Sequence, residues 1–526
     1  MHPEPAWIKV IDQTRCIGCH ACSTACKSEN QVPLSVNRTY VKSVDVGVFP
    51  HGRRAFQVTR CNQCADAPCV AACPTSAMFQ RGDGIVDFDK SICIGCKACI
   101  AACPYDAIFI NPEDHSAEKC NFCAHRLDVG LQPACVVVCP TQAIIVGDRH
   151  DEKWGRGSFK EDTAENSRQL NDPRPQLRVR KPEMQTRPRL FYKGASSATL
   201  DPLVARRPGG GLFMWSQQFL GAHSVVSGHP HPQNSAAAVL SYDVGHRAPW
   251  DWHVSLYTWT KSIASGVYLV ALLLVVPGVP GVPGVPGVPG VLAANHMLWT
   301  TVTPLVSLVF LALTGLLLIS DLEHPGRFYM IFTRPQWRSW LVRGAFVIGA
   351  YAAVLVAHAA MTMMGADAWQ APLALAGAPL AVLTAVYTAF LFRQSRGREL
   401  WQSALLAPHL LVQAILAGAA ALAPLAWVLA PDAVPALLRI VAVSAVAHLG
   451  LVAAETLHTR GTVHVRLAIH EMVSGTCRGF FLASIAAVAA GIFVPWIGVP
   501  LVVLPLLGLI AYEHAYVQAG QAVPLA

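Results

Sequence analysis

The chain has 526 residues, of which 53% are hydrophobic and only 14% charged, with a formal net charge of +8. The charge is unevenly spread: residues 1–250 hold 28 Lys/Arg and 23 Asp/Glu, against 12 and 9 in residues 251–526. That collapse excludes a soluble protein throughout, and basic residues with no binding fold behind them exclude a nucleic-acid-binding role.

Sixteen of the 17 cysteines fall within the first 139 residues as four quartets. They are Cys16, Cys19, Cys22, Cys26; Cys61, Cys64, Cys69, Cys73; Cys93, Cys96, Cys99, Cys103; and Cys120, Cys123, Cys135, Cys139. Three thiolates at such spacing can wrap one [4Fe–4S] cube while the fourth points toward a second, so the quartets pair and four clusters are expected. Pro74, Pro104 and Pro140 follow the last cysteine in three quartets, and Lys27 stands there in the first. Zinc ribbons have no use for a third cysteine followed by this ending. A disulfide framework needs export, and the opening MHPEPAWIKVIDQ has neither an apolar core nor twin arginines. Short β-rich stretches at 8–12, 84–88, 107–110 and 143–146 flank the cysteine loops, predicting strand, loop and short helix in repeats. So small a loop-rich region buries little apolar core, and residues 1–150 are not expected to fold without iron and sulfide.

Residues 151–250 read as a basic, Pro/Gly-rich extension and linker. Its stretch 174–193, with Arg174, Arg178, Arg180, Lys181, Arg187, Arg189 and Lys193, is expected to touch acidic lipid or a partner subunit. The histidines at 228–232 lack further ligands for a metal.

Eight apolar runs follow, each about the 20 residues that cross a hydrocarbon core: 255–276, 297–319, 340–364, 373–392, 403–428, 436–458, 471–495 and 498–518. The Val-Pro-Gly repeat after residue 276 cannot stay helical and falls in the first loop away from the cysteine domain. Loops on the cysteine side hold Arg327, Arg334, Arg338, Arg343, Arg393, Arg396, Arg398, Arg460, Arg466 and Arg478, while only Arg439 approaches the other side. The positive-inside rule then places the cysteine domain in the cytoplasm, at a bacterial inner membrane. His253, Lys261, Asp321, Arg327, His409, Glu455, His470 and Glu471 map toward that end of their spans. Ionisable groups there are costly in lipid and invite a functional reading, His253, Asp321 and Arg327 foremost. His358 and His448 lie deeper, and Cys477 reads as a small packing residue.

The four-quartet arrangement resembles the iron–sulfur subunit of molybdopterin oxidoreductases of the dimethyl-sulfoxide-reductase and polysulfide-reductase type. The resemblance implies these sets: Cys16, Cys19, Cys22 with Cys139; Cys120, Cys123, Cys135 with Cys26; Cys61, Cys64, Cys69 with Cys103; and Cys93, Cys96, Cys99 with Cys73. The segments 321–329 and 333–344 resemble the loop after the second span of NrfD-like quinone-reactive subunits, departing at Glu323 and His324, and with that resemblance His253, Asp321 and Arg327 are expected to contact a quinone headgroup. The expected fold is thus an α+β ferredoxin-like domain with four clusters (1–150), then the extension (151–250), then an all-α eight-helix transmembrane bundle (251–526). The expected function is electron transfer between the quinone pool (menaquinone or ubiquinone) and a separate molybdopterin catalytic subunit; no catalytic residue for the terminal substrate is found. Two alternatives stand beside it: an anchor and wire with no quinone site of its own, and a proton-translocating module using His358, His448 and Glu455.

Overall fold

The four cysteine loops share one backbone device. The residue before the second cysteine is left-handed in every quartet, at Gly18, Gln63, Gly95 and Phe122, with φ of 70, 48, 70 and 64°. A left-handed residue turns the chain sharply, so that sulfurs three positions apart face one centre. Past the fourth cysteine a second left-handed residue recurs at Ser76, Asp106 and Gln142, two positions after each proline. The first quartet, with Lys27 in place of proline, instead continues a helix to Glu29.

A computed structural model describes residues 5–47, 50–150, 177–206, 235–245, 248–275, 297–457 and 461–525. The Val-Pro-Gly repeat, the histidines at 228–232, Arg174 and Arg460 lie outside them. The strands are β1 (Trp7–Asp12), β2 (Thr39–Val46), β3 (Arg53–Arg60), β4 (Met78–Gln80), β5 (Val86–Phe88), β6 (Ile108–Ile110), β7 (Ala117–Lys119), β8 (Ile144–Asp148), β9 (Leu177–Arg178), β10 (Leu190–Lys193), β11 (Ala205–Arg206) and β12 (Ser235–Tyr242). They form sheets in the orders β8-β1-β10-β9 and β11-β12-β2-β3, with β4-β5 and β6-β7 as two-stranded ribbons beside the cysteine loops.

The boundary read at residue 150 is drawn differently here. Strand β10 pairs in parallel with β1, Lys9 opposite Leu190, and β12 pairs antiparallel with β2. An unpaired edge on β1 or β2 would leave backbone donors and acceptors without partners, and residues beyond 150 supply the missing strands. Part of the basic stretch is accordingly turned inward: Arg180 and Lys181 are buried, whereas Arg178 stays exposed and Arg187 forms an exposed fork with Asp66 at 2.5 and 2.6 Å.

In the second half, α1 (Trp252–Val275) packs among seven helices that are long and apolar enough to cross a membrane. These are α2 (Leu298–Ser320), α3 (Trp340–Met363), α4 (Gln370–Arg393), α5 (Leu406–Leu429), α6 (Pro431–Leu457), α7 (Arg478–Ile497) and α8 (Val499–Ala522). On α2, Leu305, Val309, Leu313 and Leu316 face outward while Ser307, Leu311 and Thr314 are buried. This reverses the pattern of a water-soluble helix and suits a lipid surround. Exposed aromatics gather at both ends of the bundle, Trp252, Phe328, Tyr329, Phe332 and Trp337 at one and Trp369, Trp427, Phe493 and Trp496 at the other, as interfacial belts do.

The two halves meet along a seam. Gln336 donates to the Pro74 carbonyl (2.9 Å), Ser339 Oγ to that of Ala72 (2.8 Å) and the His324 amide to that of Ile94 (3.2 Å). Ile94 is buried with Leu322, Ile331 and Val342. Gly95 lies so close to Glu323 that a β-carbon there would strike the glutamate side chain. The C-terminal segment is gripped nearby: Arg398 donates to the Gln521 and Val523 carbonyls (2.9 and 3.1 Å), and Arg180 to that of Leu525 (3.2 Å).

Helices α1 and α5 touch backbone to backbone. A methyl group at Gly266 would strike the Ala414 carbonyl, and one at Gly418 would strike Gly266 itself. Overpacking costs about 1–3 kcal/mol when side chains can give way, and backbone gives way less. Gly266→Val or Gly418→Val should therefore lower the melting temperature of the detergent-solubilised protein, whereas Gly315→Val, with open space around it, should leave it unchanged.

Candidate functional site

The cysteines gather by pairs of quartets. Cys73 joins Cys93, Cys96 and Cys99 around one small cavity, and Cys103 joins Cys61, Cys64 and Cys69 around another. Burial and the neighbouring Cys120, Cys135 and Cys123 push the Cys26 thiol up to about 12, against the pull of Arg60. Cys16 is likewise raised by burial and by Cys139 and Cys19. Each group can hold one cube ligated by four thiolates. Backbone amides already point at sulfur, from Met78 to Cys73 (3.3 Å), Ala117 to Cys93 (3.5 Å), Gln63 to Cys61 (3.5 Å) and Ala143 to Cys139 (3.2 Å). The buried Arg60 Nε and Nη2 and the Asn62 amide have no protein partner among the described residues, which suits sites that accept hydrogen bonds through inorganic sulfide.

The four groups stand in a row. Cys99 is within electrostatic reach of Cys69, Cys61 of Cys120, and Cys22 of Cys135. At one end the Cys93–Cys99 loop meets the membrane half; at the other Cys19 is exposed, with Cys16 and Cys139 half-buried. Exposed Ile17, Val137 and Val138 lie beside these cysteines in sequence, and Leu34, Val129 and Leu131 are exposed in the same quartet regions. Burial alone would raise the Cys135 thiol, but Lys9 and Arg60 bring it down to about 7.

At the membrane end, Asp251, His253 and Asp321 converge with one polar atom of each within 4.8 Å of the others. His253 Nδ1 lies 2.7 Å from Asp251 Oδ1, and the His253 ring stacks on Trp252 at 3.8 Å. Lys97, between Cys96 and Cys99, reaches across the seam to Asp321 Oδ1 (3.4 Å) and Glu323 Oε1 (3.2 Å). Burial pushes the Asp321 carboxyl up to about 6, against Lys97 and with Asp251. Two of the three residues expected at a quinone headgroup are thus brought together, and Arg327 is used differently. Its Nη1 donates to the Lys90 and Cys93 carbonyls at 3.0 and 2.8 Å, pinning the cysteine loop to the bundle.

Asp251 and Lys97 escaped the sequence reading. Asp251 could have been noticed two residues before His253, while Lys97 gives no signal until the seam is known. Glu513 was missed although it is the single charged residue of residues 498–522.

Inside the bundle a hydrogen-bonded series runs inward from the cysteine-side end. Ser403 Oγ meets Glu455 Oε1 (3.3 Å), Glu455 Oε2 meets His409 Nδ1 (2.9 Å), and His409 Nε2 meets His448 Nδ1 (3.0 Å). Tyr512 also donates to Glu455 (3.3 Å). His358 is not in this series; it packs against Trp299 and Tyr268, with ring centroids at 4.8 and 5.9 Å. Lys261 donates to the Ala385 carbonyl (2.9 Å) and Thr388 (2.6 Å), and Glu471 accepts from the Thr476 amide (2.8 Å) as a local cap.

Comparison with known proteins agrees with both halves. Residues 53–149 match the family model of the 4Fe-4S dicluster domain, and residues 242–506 that of the polysulphide reductase NrfD. A subunit of the tetrathionate reductase of Salmonella typhimurium is 41% identical over 210 residues, 39% of this chain and 78% of that protein. A component of the polysulfide reductase of Wolinella succinogenes is 42% identical over 147 residues, 27% of this chain and 77% of that one. The thiosulfate reductase electron transfer subunit PhsB of Salmonella typhi is 46% identical over 154 residues, 29% of this chain and 80% of that one.

The two bonds from Arg327 join the halves at a charged donor, worth about 1.5–3 kcal/mol each when buried and less at this half-exposed position. Arg327→Ala should therefore loosen the seam, seen as faster protease release of the cysteine-rich half from the membrane helices. An unchanged cleavage rate would show that the seam does not depend on this arginine.

Proposed function

The protein belongs to the polysulphide reductase NrfD family, joined in one polypeptide to a 4Fe-4S dicluster domain, and from that premise we propose that it carries electrons between quinone in the bilayer and a separate molybdopterin catalytic subunit. It is an iron–sulfur electron-transfer subunit of an oxidoreductase complex. The proposal assigns four [4Fe–4S] clusters to the four cysteine groups, with Cys73, Cys93, Cys96 and Cys99 innermost and Cys16, Cys19, Cys22 and Cys139 outermost. Such clusters pass electrons one at a time, which lets a two-electron donor and a two-electron acceptor be served at different ends.

One observation carries the quinone assignment: Lys97, inside the innermost cysteine loop, is bonded to Asp321, which converges with His253. A quinone headgroup there would sit beside the first electron acceptor. His253 would hold one quinone oxygen by a hydrogen bond, oriented by Asp251. Asp321, half charged near pH 6, would take up the proton released on quinol oxidation. The exposed end at Cys19, rimmed by apolar side chains, is the natural seat of the catalytic subunit. The relatives named above favour a partner acting on a sulfur compound.

The same reading makes α1 the first of eight spans, so that the cysteine half, the α2–α3 and α4–α5 loops and the C-terminal segment share one face. Arginines crowd that face, which favours the cytoplasmic side of a bacterial inner membrane. A second reading is supported by the Ser403–Glu455–His409–His448 series: a hydrogen-bonded path of titratable groups could conduct protons from that face toward the middle of the bundle.

Purified protein should contain about 16 iron atoms per molecule if four cubes are present. His253→Ala should abolish cluster reduction by a quinol analogue without lowering the iron content; retained reduction would favour the anchor-only alternative. The rate of quinol-driven reduction should rise as pH increases through about 6, because Asp321 must lose its proton before it can accept another. Asp321→Asn should lower the rate and remove that rise. For the second reading, His448→Leu should suppress any pH change accompanying quinol turnover in proteoliposomes, whereas turnover with no pH change in the unaltered protein would end it.

A further inference from the structure

Arg60 closes strand β3 directly before Cys61 and is 2% exposed. Its Nη1 donates to Cys135 Sγ at 3.0 Å, and its charge acts on Cys135, Cys120 and Cys22, which belong to both outer cysteine groups. Nε and Nη2 have no partner among the described residues, so the rest of the guanidinium fork is free to donate toward the same two centres. Lys9 adds a second buried cation: its Nζ is 3.8 Å from Cys135 Sγ and 4.1 Å from the Phe122 ring centre. Neither cation has a carboxylate partner among the ion pairs of the described residues.

At the innermost group the cationic charge is offset by carboxylates. The amides of Met78 and Ala117 point at Cys73 and Cys93. The cation beside the innermost group, Lys97, is bracketed by Asp321 and Glu323 at 3.4 and 3.2 Å, while the buried Lys119 acts on Cys61 and Cys69 of the next group. Asp321 is also close enough to Cys96 to oppose negative charge on it.

Adding an electron to a cluster adds negative charge to a site of low dielectric. A buried cation and hydrogen bonds to sulfur stabilise the reduced form and raise the potential, and carboxylates lower it. We propose that Arg60 is a potential-setting residue shared by the two outer clusters, and that it makes the partner-facing end of the row the place where electrons collect. The inference rests on the four-cluster reading and extends it by giving the wire a bias, from the membrane toward the partner subunit. Guanidinium is the suitable group because it stays charged at any working pH and donates in several directions from one plane.

The test is a potentiometric titration of the full-length, iron-loaded protein in detergent, followed by electron paramagnetic resonance. Iron content is measured first. A count that disagrees with four cubes in the unaltered protein defeats the four-cluster reading, whatever the potentials. With four cubes present, Arg60→Gln should shift two of the four midpoint potentials downward and leave the other two in place. Four unmoved midpoints, or four moved equally, would overturn the inference. Where Arg60→Gln lowers the iron content, Lys9→Gln decides: the midpoint of one cluster falls if buried cations set the order, and the account is wrong if none moves.

Discussion

On the proposed function electrons pass between the cysteine loops, built in water, and a quinone at the His253–Asp321 group, built at the edge of lipid, and because such exchange weakens steeply with distance the two must be held at a fixed separation. The seam between residues 70–97 and 321–339 supplies that constraint. It is made largely of bonds to backbone carbonyls, from Arg327, Gln336 and Ser339, and so does not depend on which side chains neighbour the sulfurs. Gly95 lets the loop come close, because any side chain there would meet Glu323. Lys97 crosses the seam to form ion pairs with Asp321 and Glu323, and the same ammonium therefore borders the innermost cysteine group and the carboxylate expected to handle a proton. An electron arriving on one side of Lys97 and a proton arriving on the other would each alter the field felt by the other.

The cysteine groups and the apolar helices were legible in the sequence because each obeys a local rule, ligand spacing in one case and length of apolar run in the other. The strands at 8–12, 84–88, 107–110 and 143–146 were legible for the same reason and recur as β1, β5, β6 and β8. What stayed hidden depends on distant partners. Residues 177–206 looked like a basic extension because their strands have two to four residues, and only pairing defines them, β10 with β1, β9 with β10 and β11 with β12. The charge of Arg180 suggested an acidic surface, yet its guanidinium is buried between Tyr105 and the Leu525 carbonyl. Arg327 was read as a headgroup ligand from its place at a span end, and its carbonyl partners came from a loop more than two hundred residues earlier.

Polar groups within the bundle are distributed unequally. Most serine and threonine hydroxyls on α1 and α2 bond back to their own helix, as Ser262 does to Thr258 and Thr314 to Phe310, which satisfies them at little cost to packing. Titratable side chains instead cluster where α5, α6 and α8 meet, with Lys261 of α1 nearby. In a hydrocarbon surround, ionisable groups that serve only packing would be readily replaced by apolar ones of similar size. Their concentration along one helix junction, from Ser403 inward, separates that junction from the rest of the core.

The pairing of quartets also sets a calendar for synthesis. The two inner cysteine groups draw only on residues 61–103, so both can close while the later polypeptide is still unmade. The two outer groups each span more than a hundred residues, Cys16 to Cys139 and Cys26 to Cys135, and β1 beside them waits for β8 and then for β10. Closing such long loops is slow and leaves edges open meanwhile. The two groups nearer the membrane helices are thus topologically ready before the two at the far end of the row. The first quartet must remain uncommitted until a cysteine more than a hundred residues downstream emerges.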